Sequence, residues 1–202
     1  MSKAILQIRG FLSGERHFPD PHIYRIIQVP DEITFYQLHC LLQLSFGWTN
    51  SHCHEFRDIF KQQAVFTNMI HSWEQDMPKA VDSRKVKIKE YLLENAFMLY
   101  VYDMSDNWVH GLFVEKVLVP ATEQIYPICI AGAKSCPPED CGGLGGYYEM
   151  LAILRRGKGE LYKQYLQWLG GEYDPEYFNM EQVNSRLASW KKVARRWEPD
   201  TF

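Results

Sequence analysis

Cys129, Cys136 and Cys141 share one loop with Glu139, Asp140 and two prolines, and the neighbouring Gly142-Gly-Leu-Gly-Gly146 run permits tight backbone turns. Thiolates at such spacing are soft ligands that wrap a tetrahedral zinc once a fourth donor arrives from elsewhere. His52, Cys53 or His54, adjacent in one string, is the natural donor, and His54 is the one assigned. The expected metal set is therefore Cys129, Cys136, Cys141 and His54 around a structural zinc. The loop lacks paired C-x2-C knuckles, and buried free cysteines behave as ordinary small hydrophobes. Thiol packing and glycine-rich loop closure thus stand as the alternative.

A second constellation has harder ligands. If residues 52–54 are extended, His52 and His54 project from the same face. With Asp103, Asp106 and His110 they would suit a divalent cation, or general acid–base work near neutral pH. These five are the candidate catalytic residues. Each has a plainer reading. The histidines can bond backbone at a strand entrance, and Asp106 and Asn107 are what turns want, because their side chains bond nearby amides. Asp103 and His110 are less easily explained by turn chemistry. Glu139 and Asp140 read first as caps for a helix starting near Tyr147, and otherwise as acceptors for loop amides.

The elements that must position these groups follow from periodicity. Residues 4–12 and 23–29 are rich in Ile and Val with partial alternation and read as two strands, joined by a connection over 14–22 that carries Pro19 and Pro21. Thr34-Phe-Tyr-Gln37 is a capping box, followed by Phe35, Leu38, Leu42 and Phe46 at helical spacing, with Gly47 as the stop. Residues 54–60 read as a returning strand and 68–84 as a long connection, with Val86 and Ile88 alternating between lysines. Residues 97–102 and 108–119 flank the polar turn Met104-Ser-Asp-Asn107 as a hairpin. After the cysteine loop the period becomes helical over 148–156, over 161–169 and from Asn179 onward. In that last helix Val183, Leu187, Trp190, Ala194 and Trp197 form one apolar stripe. The fold class expected is α+β: an antiparallel sheet built from N-terminal and central hairpins, one helix after the second strand, and a helical C-terminal third. Residues 1–202 form a single domain.

Composition narrows the function classes. With 202 residues, 46% of them hydrophobic, the chain can bury one substantial core without staples. A net charge of -3 excludes the broadly cationic surface of a non-specific nucleic-acid binder. Lys191, Lys192, Arg195 and Arg196 complement a helix C-terminus and read mainly as a solvated face. No leader and no long apolar run is evident, and five cysteines are an odd set, so a cytoplasmic protein with free thiols or metal ligands is expected. Phosphate-loop, nucleophile-elbow, H-E-x-x-H and dinucleotide fingerprints are missing.

Several of these segments together resemble the plasmid pRiA4b ORF-3-like family, a group of uncharacterised proteins often encoded on plasmids or near transposons. The resemblance runs from Pro21-His-Ile-Tyr-Arg25 with Val29-Pro30, through Leu38-His39, Gln43, Gly47-Trp48 and His52-Cys-His-Glu-Phe56, to Tyr102-Asp103, Asp106-Asn-Trp-Val-His110 and Glu115. It continues through Cys129, Gly132, Cys136-Pro-Pro-Glu-Asp-Cys-Gly-Gly143, Gly146-Tyr147, Trp168-Leu-Gly170, Asp174-Pro175 and Asn184. It implies a compact α+β domain without an established activity. Where the family usually carries Phe-Gly, this chain has Met104-Ser105, so its hairpin turn is expected not to need a positive φ angle. Two function classes follow. One is an accessory or binding protein with a cysteine-held loop, acting on an unknown protein or nucleic-acid partner. The other is a metal-dependent hydrolase acting on phosphoesters or nucleic acid.

Overall fold

The computed structural model describes residues 4–13, 23–58, 65–67 and 80–198. Among these, eight strands form one sheet: β1 (Ile5–Leu12), β2 (Tyr24–Pro30), β3 (His54–Arg57), β4 (Val65–Thr67), β5 (Ala80–Asp82), β6 (Phe97–Tyr102), β7 (Trp108–Leu118) and β8 (Ile128–Ala133). Their order is β5-β4-β3-β6-β7-β1-β2-β8. Every pairing is antiparallel except β4 with β5. The α+β class holds, with that parallel pair as an addition. The expected connections over 14–22 and most of 68–84 lie outside the described residues, as do the last residues of the strand expected over 54–60.

The β6–β7 hairpin closes as the alternation demands, pairing Tyr102 with Trp108 and Phe97 with Phe113. Its turn does take positive φ angles, at Asp103 (57°) and Asn107 (53°), while Met104 and Ser105 are spared. Asp and Asn tolerate that conformation because their short polar side chains bond locally. Val86 and Ile88 do not extend a strand. Lys87 bridges Thr34 and a single 3₁₀ turn follows over Ile88–Glu90.

Helix α1 (Phe35–Phe46) carries the expected box in full: the Thr34 hydroxyl accepts from the Gln37 amide and the Gln37 side chain accepts from the Thr34 amide. Gly47 ends it at φ 98°. All of its residues but Gln37 are buried, as expected of a helix enclosed on several sides. The sheet lies against it, and α4 (Met180–Ala188) and α5 (Trp190–Trp197) touch it from the C-terminal third. The apolar stripe Val183, Leu187, Trp190 and Ala194 is buried as read, but Ser189 breaks the expected single helix in two. Helices α2 (Gly143–Arg156) and α3 (Glu160–Leu169) form a pair of their own. No helix among the described residues is long and apolar enough to cross a membrane.

Candidate functional site

Three segments distant in sequence meet beside the β6–β7 turn. The first is the stretch between α1 and β3. A buried polar network fixes it: Gln43 Nε2 donates to the Tyr100 hydroxyl at 3.0 Å, and Gln43 Oε1 accepts from the Asn50 amide at 2.9 Å. His39 lies 2.9 Å from Tyr100 Oη through Nδ1 and 2.7 Å from Asn50 Oδ1 through Nε2. An amide oxygen can only accept, so Nε2 carries the proton and Nδ1 accepts from Tyr100. The imidazole is thereby neutral, in keeping with burial that pushes His39 down to about 4. Asn50, at φ 60°, turns the chain so that Ser51 and His52 follow.

The second segment is the turn after β6. Asp103 is 3% exposed, and its Oδ1 accepts from the Ser105 amide at 2.9 Å, the Ser105 hydroxyl at 2.6 Å and the Asp106 amide at 3.3 Å. Asp103 is therefore the residue that performs the turn chemistry expected of Asp106 and Asn107. Burial opposes its charge, yet the Ser105 hydroxyl and these amides hold its carboxyl below the usual range.

The third is the loop Cys136-Pro-Pro-Glu-Asp-Cys-Gly-Gly143. Trp48 Nε1 donates to Pro137 O at 3.0 Å. Glu139 accepts from the Thr49 amide at 3.2 Å and from the Tyr102 hydroxyl, which itself accepts from the amides of Ser51 at 3.0 Å and His52 at 3.3 Å. Asp106 Oδ2 accepts from the Gly142 amide at 3.1 Å. A Cβ on Gly143 would lie 2.5 Å from Asp106 O, so the loop seats on the turn because glycine stands there. Neither Glu139 nor Asp140 caps α2, whose start at Gly142 has no side-chain cap, because both carboxylates face the other two segments.

These contacts leave His52 Nε2 at 3.0 Å from Asp140 Oδ1 and 3.6 Å from Asp103 Oδ2. The nitrogen is buried, and despite the short approach to Asp140 it forms no hydrogen bond of proper geometry. Two donors each about 2.1 Å from one ion are themselves roughly 3.0–3.4 Å apart, so the spacing fits a shared cation.

Among the described residues, His52, Asp103 and Asp140 are the group of three whose ligand atoms lie within 4.8 Å of one another. The expected sulfur set is not gathered. Cys129 sits on β8 with its thiol toward Ala131 O at 3.3 Å, and Cys141 points to Gly143 O at 3.9 Å. Burial pushes Cys141 up to about 12, and Cys129 and Cys136 upward as well. His54 is elsewhere too, fully buried and stacked on His39 with ring centroids 3.6 Å apart. His110 is buried against Phe46, Trp48 and Tyr100, its Nδ1 3.0 Å from Trp108 O, and its Nε2 has no hydrogen-bond partner. So of His52, His54, Asp103, Asp106 and His110, the fold brings two together and adds Asp140. That residue was legible only as a carboxylate in a constrained loop.

The plasmid pRiA4b ORF-3-like protein family matches residues 15–182. An uncharacterised protein, y4hQ of Sinorhizobium fredii (strain NBRC 101917 / NGR234), is 33% identical over 184 residues, covering 88% of this chain and 91% of that one. The crystal structure of a protein of unknown function, MM3350 from Methanosarcina mazei Go1, superposes with a TM-score of 0.77 at 33% identity, over 91% of this chain and 98% of that chain.

Proposed function

We propose that this chain, which belongs to the plasmid pRiA4b ORF-3-like protein family, is an accessory protein that binds a divalent cation between His52, Asp103 and Asp140. The single observation that carries the reading is the buried His52 Nε2, which lacks a hydrogen-bond partner and stands within 3.6 Å of two carboxylate oxygens from separate segments. One nitrogen and two oxygens suit zinc or manganese better than an all-oxygen calcium site. An ion there ties the loop, the turn and the α1–β3 connection together. The five cysteines are all unpaired, which fits a reducing, cytosolic setting.

Calorimetry with zinc and with manganese tests this. One equivalent should bind, and Asp103→Asn or Asp140→Asn should weaken it by about tenfold or more, at least the effect that loss of a residue merely supporting a metal ligand produces. The Cys136→Ser/Cys141→Ser pair should leave it unchanged. Equal binding by the Asp variants would overturn the assignment, and loss of the metal in the Ser pair would return it to sulfur.

A hydrolase is the second reading. It is favoured by the Tyr102–Glu139 hydrogen bond beside the same group, which sets a proton donor and an acceptor next to where a metal-bound water would lie. Turnover of a simple phosphodiester with added manganese, lost in Asp103→Asn, would decide for it.

A further inference from the structure

Among the described residues, two arginines that the fold draws away from solvent, Arg25 and Arg186, have no carboxylate to answer them. Arg25, on β2, is 3% exposed. Its guanidinium lies 5.4 Å from the Phe46 ring and 4.6 Å from the Phe178 ring. Its N–H groups donate to the main-chain oxygens of Ser45, Tyr24, Ala133 and Lys134 at 2.7 to 3.0 Å. Carbonyl dipoles satisfy those hydrogens but do not cancel the charge. Arg186, on α4, lies over Gly47, where a Cβ would stand 3.5 Å from its Nη1. Its Nε is buried with no hydrogen-bond partner. Arg9, Arg57 and Arg84 each pair with a carboxylate, whereas among the described residues Arg25 and Arg186 pair with none.

The thiols beside them do not supply the missing charge. Burial pushes Cys136 and Cys129 upward in spite of both guanidiniums, so the sulfurs stay protonated and neutral. Burial also lowers both arginines, and the charge of Arg186 adds to that effect on Arg25. The two guanidiniums line one cavity of about 190 Å³, with Ser135, Asn179 and Gln182 among its other walls and no carboxylate in them. Asn179 is the N-cap of α4, its Oδ1 accepting from the Gln182 amide at 2.9 Å, and Gln182 lies with Glu181 in the first turn, where the backbone dipole favours negative charge.

We propose that this cavity binds a phosphate group, with Arg25 and Arg186 as its charge partners and the side-chain amide N–H groups of Asn179 and Gln182 as neutral contacts. A phosphate dianion carries the two negative charges that the arginine pair lacks; the Arg186 fork matches its oxygens, while Arg25, with four of its five hydrogens given to carbonyls, acts mainly through its charge. The phosphate can be free or the head of a phosphomonoester. This site is separate from the cation group: Ser135 and Cys136 line the cavity, while Glu139 and Asp140, further along the same loop, face Tyr102 and His52.

Titration of the full chain with inorganic phosphate, and in parallel with a nucleoside 5′-monophosphate, tests the assignment. Chelator is kept present so that neither anion acts through a bound metal, and sodium chloride of equal ionic strength is the reference. Phosphate should bind saturably at one per chain and raise the melting temperature. Tighter binding of the nucleotide identifies a phosphomonoester as the ligand; equal or weaker binding identifies free phosphate. Arg186→Gln should weaken either by about tenfold or more, the scale of a charge-assisted contact. Should that variant fold poorly, Gln182→Glu sets a carboxylate in the cavity wall and should abolish phosphate binding while leaving cation binding intact. No shift beyond that of chloride, or undiminished affinity in the folded Arg186→Gln protein, would overturn the proposal.

Discussion

Histidine decides most at the scale of single residues, because the four among the described residues divide between one at the candidate site and three that the core has consumed. His39, His54 and His110 are fully buried, and burial holds His39 and His110 down to about 4 and His54 well below its ordinary value. Spacing alone placed His52 and His54 together. It could not show that His54 meets an α1 imidazole across the core, since that contact depends on how helix and sheet pack. The sign of the pH effect follows from linkage. The unfolded chain protonates these rings near pH 6.5 while the folded chain refuses the proton, so their stabilisation is complete above that pH and is lost as pH falls toward 4. For His39 and His110 the loss is on the order of 3 kcal/mol each across that window. Asp103, Asp82 and Glu115 have lowered carboxyl values and act the same way, but mainly at lower pH. Urea melts at pH 7 and pH 5 should therefore show a marked drop in midpoint. Equal midpoints would mean that the buried rings are already charged or already wet.

Among the elements, those governed by local chemistry were legible and those governed by contact were not. The α1 capping box, the Gly47 stop and the β6–β7 alternation stand in the chain as read, since each depends on neighbours within a few residues. β8 was missed because its Ile-Cys-Ile-Ala-Gly-Ala sequence is short and mostly small, and pairing with β2 makes it a strand. The start of α2 was missed because glycines argue against a helix. Here they are required: Gly143 has φ 65° and backs onto Asp106 O, and a Cβ on Gly146 would lie 1.8 Å from Cys141 O. Gly143→Ala should cost about 1–2 kcal/mol for the left-handed backbone alone, with further loss from the clash. It should also weaken cation binding, because the loop can no longer seat on the turn that carries Asp103. Gly145→Ala is the control. Nothing lies within 4 Å of its Cβ position and it sits inside α2, so it should be neutral or stabilising by up to about 1 kcal/mol. Thermal melts of the two variants beside wild type check both expectations, and a Gly143→Ala protein as stable as Gly145→Ala would show that the loop tolerates a side chain at either place.

For the molecule as a whole, one sheet edge is closed by a side chain. β8 is the last strand beyond β2, and a last strand offers unpaired amides and carbonyls to any passing chain. Asn184, projecting from α4, answers both groups of Cys129: its Oδ1 accepts from the Cys129 amide at 2.7 Å and its Nδ2 donates to the Cys129 carbonyl at 3.0 Å. One amide side chain thus performs there what a neighbouring strand would, and it docks the C-terminal helices on the sheet. The same docking holds Arg186, two residues on, over Gly47. Asn184→Ala leaves a buried donor and acceptor unanswered, so it should lower stability by roughly 1–3 kcal/mol. It should also expose the β8 edge to pairing between copies. Asn184→Asp keeps the acceptor and loses the donor, so its effect should fall between wild type and Ala. Sedimentation across a concentration series separates the two consequences. A destabilised but monodisperse Ala variant would confine Asn184 to local hydrogen bonding, whereas association that rises with concentration and is reduced in the Asp variant would establish it as the guard of the edge.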